Sequence, residues 1–131
     1  MIELYSGLVE HISAPPLVPD DRPIDVEHLF RMTLGDHSLE REVLQLFERQ
    51  TGMLMERIAQ SEATEPGIVA ACAHTIKGSA RGIGAWQVAL AADAVEVAAL
   101  SARSDLARTI RALAVSVSDV KAEIADLLRA H

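Results

Sequence analysis

LARTIRALAVSVSDVKAEIADL, residues 106–127, decides the fold. Leu106, Ile110, Leu113, Val117, Val120, Ile124 and Leu127 recur at alternating steps of four and three. That spacing lines them up as one narrow stripe on an α-helix, the pattern of a coiled-coil seam. A stripe so long has to be covered by other apolar surface. Working back toward the N-terminus, the sequence supplies further helices to cover it, with short connections and no strand signals.

A helix from about Ala85 to Leu100 precedes the seam, and Ser104 with Asp105 opens the seam helix itself. Before them Thr64 caps a helix with Glu65 and Pro66 in its first turn, where proline is tolerated. Gly82 and Gly84 supply its stop signals. Asp36 or Ser38 caps a long helix to about Ala59, with Leu39, Val43, Leu46, Phe47, Leu54 and Ile58 at helical spacing. Asp25 caps a short leading helix, Val26–Leu34, with Glu27 in its first turn and Gly35 at its end. The expected fold is therefore all-α: an up-and-down antiparallel four-helix bundle with a short leading helix, over residues 24–131. A dimeric coiled coil through the last helix is the rival, ranked second because the other helices also need a surface to bury. The chain is read as a monomer.

Residues 1–23 differ. Pro15, Pro16, Pro19 and Pro23 surround an Asp-Asp-Arg step, which reads as a proline-rich arm or linker. Ile2, Leu4, Tyr5, Leu8 and Val9 allow a short amphipathic turn ahead of it.

Half of the 131 residues are hydrophobic but only 3% are aromatic, so the core must be built from Ala, Val, Leu and Ile. A net charge of −7 argues against nucleic acid or an anionic membrane as partner, because phosphate binding relies on Lys and Arg. The single cysteine, Cys72, forms no intrachain disulfide and reads as a small core residue. The N-terminus lacks the basic lead and apolar run of a signal peptide, and no stretch of about 18 uncharged apolar residues spans a membrane. A cytoplasmic chain is the expectation.

The stretch AHTIKGSARGIGAW, residues 73–86, carries the candidate chemistry. At about 100° per residue, with His74 at zero, Ile68, Val69, Cys72, Ile76, Ser79 and Ile83 fall between roughly 120° and 220°. His74 points away from that stripe. Lys77, Gly78 and Arg81 share its face, being three, four and seven residues on. On the N-terminal side the same face carries Gly67, Ala70 and Ala71. A histidine in a clearing of small side chains beside two cations suits a visiting anion, and a phosphoryl group on a ring nitrogen fits. Lys77 offers charge-assisted hydrogen bonds to its oxygens; Arg81 does the same or attracts an acidic partner. Gly78, which costs roughly 1 kcal/mol against alanine in a helix interior, is read as clearing space for close approach. A kink or packing against a neighbouring helix is the other explanation. Ser79 falls toward the buried side.

A-H-T-I-K-G-S-A-R-G-I-G-A resembles the signature of the histidine-containing phosphotransfer (HPt) domains of two-component phosphorelays. The elements are His74, Lys77, Gly78 and Ser79, then Gly84 where the next helix begins. Gly35-Asp36, Leu39 and Phe47 resemble the family's first long bundle helix, so the likeness runs from about Asp25 to the end. It implies a four-helix bundle with the active histidine midway along one helix. It also implies no ATP site and no autokinase activity, in keeping with the lack of a glycine-rich phosphate loop. His74 would take a phosphoryl group from a receiver aspartyl phosphate, or from a hybrid kinase, and pass it to another receiver. No cofactor is expected on this chain; Mg²⁺ is expected on the receiver. By the same resemblance a polar side chain of the following helix, Glu96, would hold the second ring nitrogen, against the alternative of an ordinary surface carboxylate.

The fourth helix is apolar on two sides: Val88, Ala91, Ala92, Val95 and Ala99 on one, Trp86, Leu90, Val97 and Leu100 on the other. Both are read first as core. If one is not, Trp86 and Leu90 would join Ala70 and Ala71 as partner surface. A metal site is not expected, because His11, His28, His37 and His131 show no i, i+4 pairing. Ser-His-Asp catalysis has no nucleophile elbow to support it. The main alternative function is a phosphorylation-independent docking module or inhibitor of a kinase or response regulator.

Overall fold

The computed structural model describes residues 22–101 and 105–130. Among them the order is α1 (Val26–Met32), α2 (His37–Ser61), α3 (Pro66–Ile83), α4 (Trp86–Leu100) and α5 (Leu106–Ala130), with no strands. The proline-rich arm up to residue 21, the apolar residues Ile2 to Val9 within it, and Ser104 lie outside the described residues. α3 packs between α2 and α4, α5 packs on α4 and closes on α2, and α1 leans on α3. This is the expected bundle with its short leading helix. No described helix is long and apolar enough to cross a membrane.

On α5, Ile110, Leu113, Val117, Val120 and Ile124 are buried, and Leu106 and Leu127 pack at the ends of the row. The α3–α4 contact is built from small residues: Ala70, Ala73 and Ala80 on one helix, Ala89, Ala92 and Ala99 on the other are all buried. Short side chains let two helix axes approach closely. The buried stripe of α3 is consequently turned toward α4, and Ala70, expected beside His74, is only 5% exposed.

Other boundaries and faces differ from the sequence reading. α1 stops at Met32, because Leu34 and Gly35 both take left-handed backbone, φ 54° and 71°. Asp36, rather than Ser38, caps α2 by accepting from the Leu39 N–H. Glu65, not Thr64, is the N-cap of α3; Pro66 fixes the first helical position, and no side chain caps it. Gly82 lies inside α3, and the stop is Gly84 alone, at φ 80°. On α2 the buried row is Glu40, Leu44, Phe47, Thr51 and Ile58, while Leu39 and Leu46 are exposed. The Leu90, Val97 and Leu100 side of α4 faces outward rather than into the core.

α1 is fastened to the α3–α4 turn by one cluster. Asp25 caps α1 through the His28 N–H, and its other carboxylate oxygen accepts from Trp86 Nε1 at 3.0 Å. The Asp25 N–H donates to Gly84 O at 2.9 Å. His28 is fully buried, donates from Nε2 to Arg81 O at 3.1 Å, and meets the Trp86 ring edge-on at 4.9 Å. A Cβ on Gly84 would stand 3.0 Å from Asp25 O, so this turn requires glycine for both its φ and its closeness. Burial works against the Asp25 charge, but the Trp86 and His28 bonds hold the carboxyl below its usual range.

Burial pushes the His28 pKa below the ordinary value of 6.5, with Arg31 assisting and Asp25 and the Arg81 carbonyl opposing. The folded state thus disfavours the protonated ring more than the unfolded chain does. Stability is full above the ordinary histidine pKa and declines as pH falls below about 6.5 toward the folded value. We expect the thermal midpoint to drop over that range, read by the fluorescence of Trp86, the only tryptophan. His28→Gln should flatten the profile. The seam gives a second expectation. Leu113→Ala should cost about 2–5 kcal/mol in urea unfolding, and Val115→Ala, on the exposed side of the same helix, less than about 0.5.

Candidate functional site

His74 lies midway along α3, and its side chain is 67% exposed. The ring is held from one side. Nδ1 lies 3.0 Å from Glu96 Oε2, a carboxylate reaching across from α4. The other oxygen of Glu96, Oε1, accepts from Lys77 Nζ at 2.8 Å, and Lys77 also donates to Asp93 Oδ1 at 3.0 Å. The four side chains form one chain of contacts: ring, carboxylate, ammonium, carboxylate.

This alters the electrostatics expected from sequence. Lys77 does not stand free beside the ring; it lies in the α3–α4 seam, 15% exposed, with two acidic partners. Its hydrogen bonds to Glu96 and then Asp93 raise its pKa above the ordinary lysine value. The bond from Lys77 is the main reason that Glu96 is held below the usual carboxylate range; burial opposes the shift and the bond to His74 adds to it. An ionised carboxylate only accepts hydrogen bonds, so the neutral ring must carry its proton on Nδ1. Nε2 is left as the nitrogen with the free lone pair.

Gly78, one turn beyond His74, has open space where a Cβ would be: beyond its own stretch of helix, no atom of the described residues lies within 4 Å. Packing against a neighbouring helix is therefore not why glycine stands there. Gly67 and Gly82 are equally open, and Ala71 is exposed, so the face of α3 around the ring is low from end to end. Arg81 is exposed, and its side chain makes no hydrogen bond or ion pair among the described residues. It is the cation that does remain available beside His74.

Of the expected partner surface, Leu90 is 67% exposed on α4 and Ala71 is exposed on α3. Ala70 is buried in the α3–α4 contact, and Trp86 is half-buried and bonded to Asp25, so neither is free surface. Ser79 is half-buried and lines a groove.

Sequence reasoning missed two features. Asp93 stands one turn before Glu96 on α4, and an acid at that spacing opposite Lys77 was a usable signal. The second is an apolar groove of about 270 Å³ between α1, α2 and α3, where Met32, Leu39, Val43 and Leu46 face Ser79 and Gly82. Leu39 and Leu46, read from their spacing only as part of a helix face, are exposed along it. No group of three or more His, Cys, Asp or Glu side chains that could hold a metal ion occurs among the described residues.

Compared with models of protein families, residues 42–130 match the Hpt domain. That is more than half of the chain, which belongs to the Hpt domain family. Hpt domains carry out histidine phosphotransfer in two-component signalling and interact there with receiver domains and kinases. Comparisons with curated proteins and with solved structures returned no match.

The Glu96 contact has a direct readout. Long-range ¹H–¹⁵N NMR of the neutral His74 ring should show the Nδ1–H tautomer in the native protein. In Glu96→Ala the population should move toward Nε2–H.

Proposed function

We propose that in this Hpt-family chain His74 Nε2 is the phosphoryl acceptor and donor. It takes the group from a receiver aspartyl phosphate, or from a hybrid kinase, and passes it to another receiver. The observation that carries this reading is the pairing of an exposed, unencumbered Nε2 with an Nδ1–H fixed by Glu96.

In the forward step the Nε2 lone pair attacks phosphorus in line with the aspartyl oxygen. The N–P bond forms, the P–O bond breaks, and its electron pair leaves with the aspartate carboxylate. The ring becomes an N-phosphoryl imidazolium that still carries its proton on Nδ1, facing the ionised Glu96. That carboxylate therefore stabilises charge that develops only as the bond forms, which is where stabilisation accelerates a reaction. The reverse step runs through the same atoms. Positioning and charge stabilisation carry most of phosphoryl transfer. The receiver, with its Mg²⁺, supplies the remainder of that machinery.

Close approach is the second requirement. The open Gly78, Gly82 and Ala71 positions let a partner's backbone settle on α3, and the α1–α2–α3 groove begins within two turns of His74 on the same helix. Its apolar walls suit the desolvated centre of an interface. The free Arg81 guanidinium suits the acidic surround of a receiver's phosphorylated aspartate.

His74→Gln should abolish the acid-labile label acquired from a phosphorylated receiver while leaving the unfolding midpoint unchanged. A chain that only docks would be unaffected in binding and would acquire no label in its native form. Gly78→Ala should stabilise the helix by about 0.5–1 kcal/mol, since its Cβ meets nothing. Gly78→Leu should cut the transfer rate at least tenfold without destabilising the fold; equal losses in both would refute the access role.

A further inference from the structure

We infer that Asp93 is a positioning residue that holds Lys77 back from the phosphoryl group, keeping phospho-His74 ready to give that group away. The inference rests on the assignment of His74 as the phosphoryl acceptor, and deepens it.

An ammonium has three N–H donors. Lys77 directs one to Glu96 and one to Asp93, which leaves one for a phosphoryl oxygen on the neighbouring ring. The two bonds differ in what they hold. Glu96 also accepts from His74 Nδ1, so its bond to Lys77 belongs to the ring's own orientation. Asp93 has no contact with the ring. Its side chain is 51% exposed, at the outer edge of α4, one turn from Leu90 and one from Val97. The bond to Asp93 pulls the lysine stem toward α4 and can be lost without releasing His74.

Charge gives the arrangement a direction. One cation lies between two carboxylates, so its charge is shared with both before any phosphoryl group arrives. A phosphoryl group arriving on Nε2 finds that shared charge and only one uncommitted lysine donor. The phosphorylated state is thereby less stabilised than a free lysine at the same place would make it. Attack remains served by Glu96, which does not depend on Asp93. The acid selectively penalises the product of phosphorylation, and so favours onward transfer to an aspartate. Asp93 is half in water, so its influence is moderate and sensitive to salt.

The test is the equilibrium of phosphoryl exchange between His74 and a receiver domain charged with acetyl phosphate and Mg²⁺, choosing a receiver that labels the native protein. Asp93→Asn should shift that equilibrium toward phospho-His74 by about two- to fivefold, the size an exposed ion pair carries, and the shift should shrink in high salt. Asp93→Glu should restore the native ratio. The decisive arm is Lys77→Met: if Asp93 acts through the lysine, adding Asp93→Asn to that background should change nothing. A native ratio in Asp93→Asn would overturn the inference while leaving His74 as the relay residue. A shift that persists without Lys77 would also overturn it, by showing that the acid repels the phosphoryl group directly. Failure of every charged receiver to label the native chain would remove the reading of His74, and this inference with it.

Discussion

Glu96 spans the two helices on which the chemistry depends. One oxygen fixes the proton of the His74 ring and the other anchors Lys77, so a single side chain of α4 sets the tautomer of that ring and the position of the lysine beside it. Both bonds are short enough only if α3 and α4 lie close and in a fixed register. The alanines at positions 70, 73, 80, 89, 92 and 99 provide the closeness. Larger side chains there would widen the gap between the helices, and the carboxylate would no longer reach both partners.

Register comes from the turn. Gly84 takes a left-handed conformation that lets Asp25 and His28 press against it, and Asp25 then bonds both the start of α1 and the start of α4. A buried histidine and a half-buried tryptophan complete the joint. The joint lies about three turns from His74 along α3, by 1.5 Å per residue. A helix is stiff over that distance, so fixing its end fixes the relation of its middle to α4. The leading helix is thus part of what aims Glu96 at the ring, although it carries none of the groups proposed to react.

The placement of His74 and the core of α5 were legible because both rest on Cβ direction along regular helices, which periodicity reports directly. The two carboxylate partners of Lys77 were not legible, for the opposite reason. The lysine Cβ leaves α3 on the side expected, but a four-carbon stem follows its partners, and those partners are on another helix. Ala70 and Trp86 failed differently. Alanine is compatible with either face of a helix, and the core of α3 is turned toward α4 because α4 is itself alanine-rich. Trp86, read first as core and otherwise as partner surface, is half-buried because Asp25 and His28, about sixty residues away in the chain, meet it. On α2 the spacing of Leu39, Val43 and Leu46 was helical as read, yet the stripe one residue further round is the buried one. Periodicity reports that a stripe exists; which of two adjacent stripes is covered is set by how α2 packs on α3 and α5.

A relay differs from a phosphate-binding protein in what its cations must do. Two unpaired cations pressed against the ring would bind the phosphoryl group well in the resting product as well as in passing, and binding both states equally accelerates nothing. The structure instead commits Lys77 to carboxylates and places ionised Glu96 against the His74 ring, where the proposed attack would create positive charge. Arg81 stays free at the surface, where it can attract an acidic partner without being fastened to the ring. The small side chains around His74 serve the same economy, since what they leave open is filled by the partner only while the two are together. An exposed imidazole of this kind has little need of a pocket of its own. In the proposed relay the second protein would bring the walls, and on leaving would take the phosphoryl group with it.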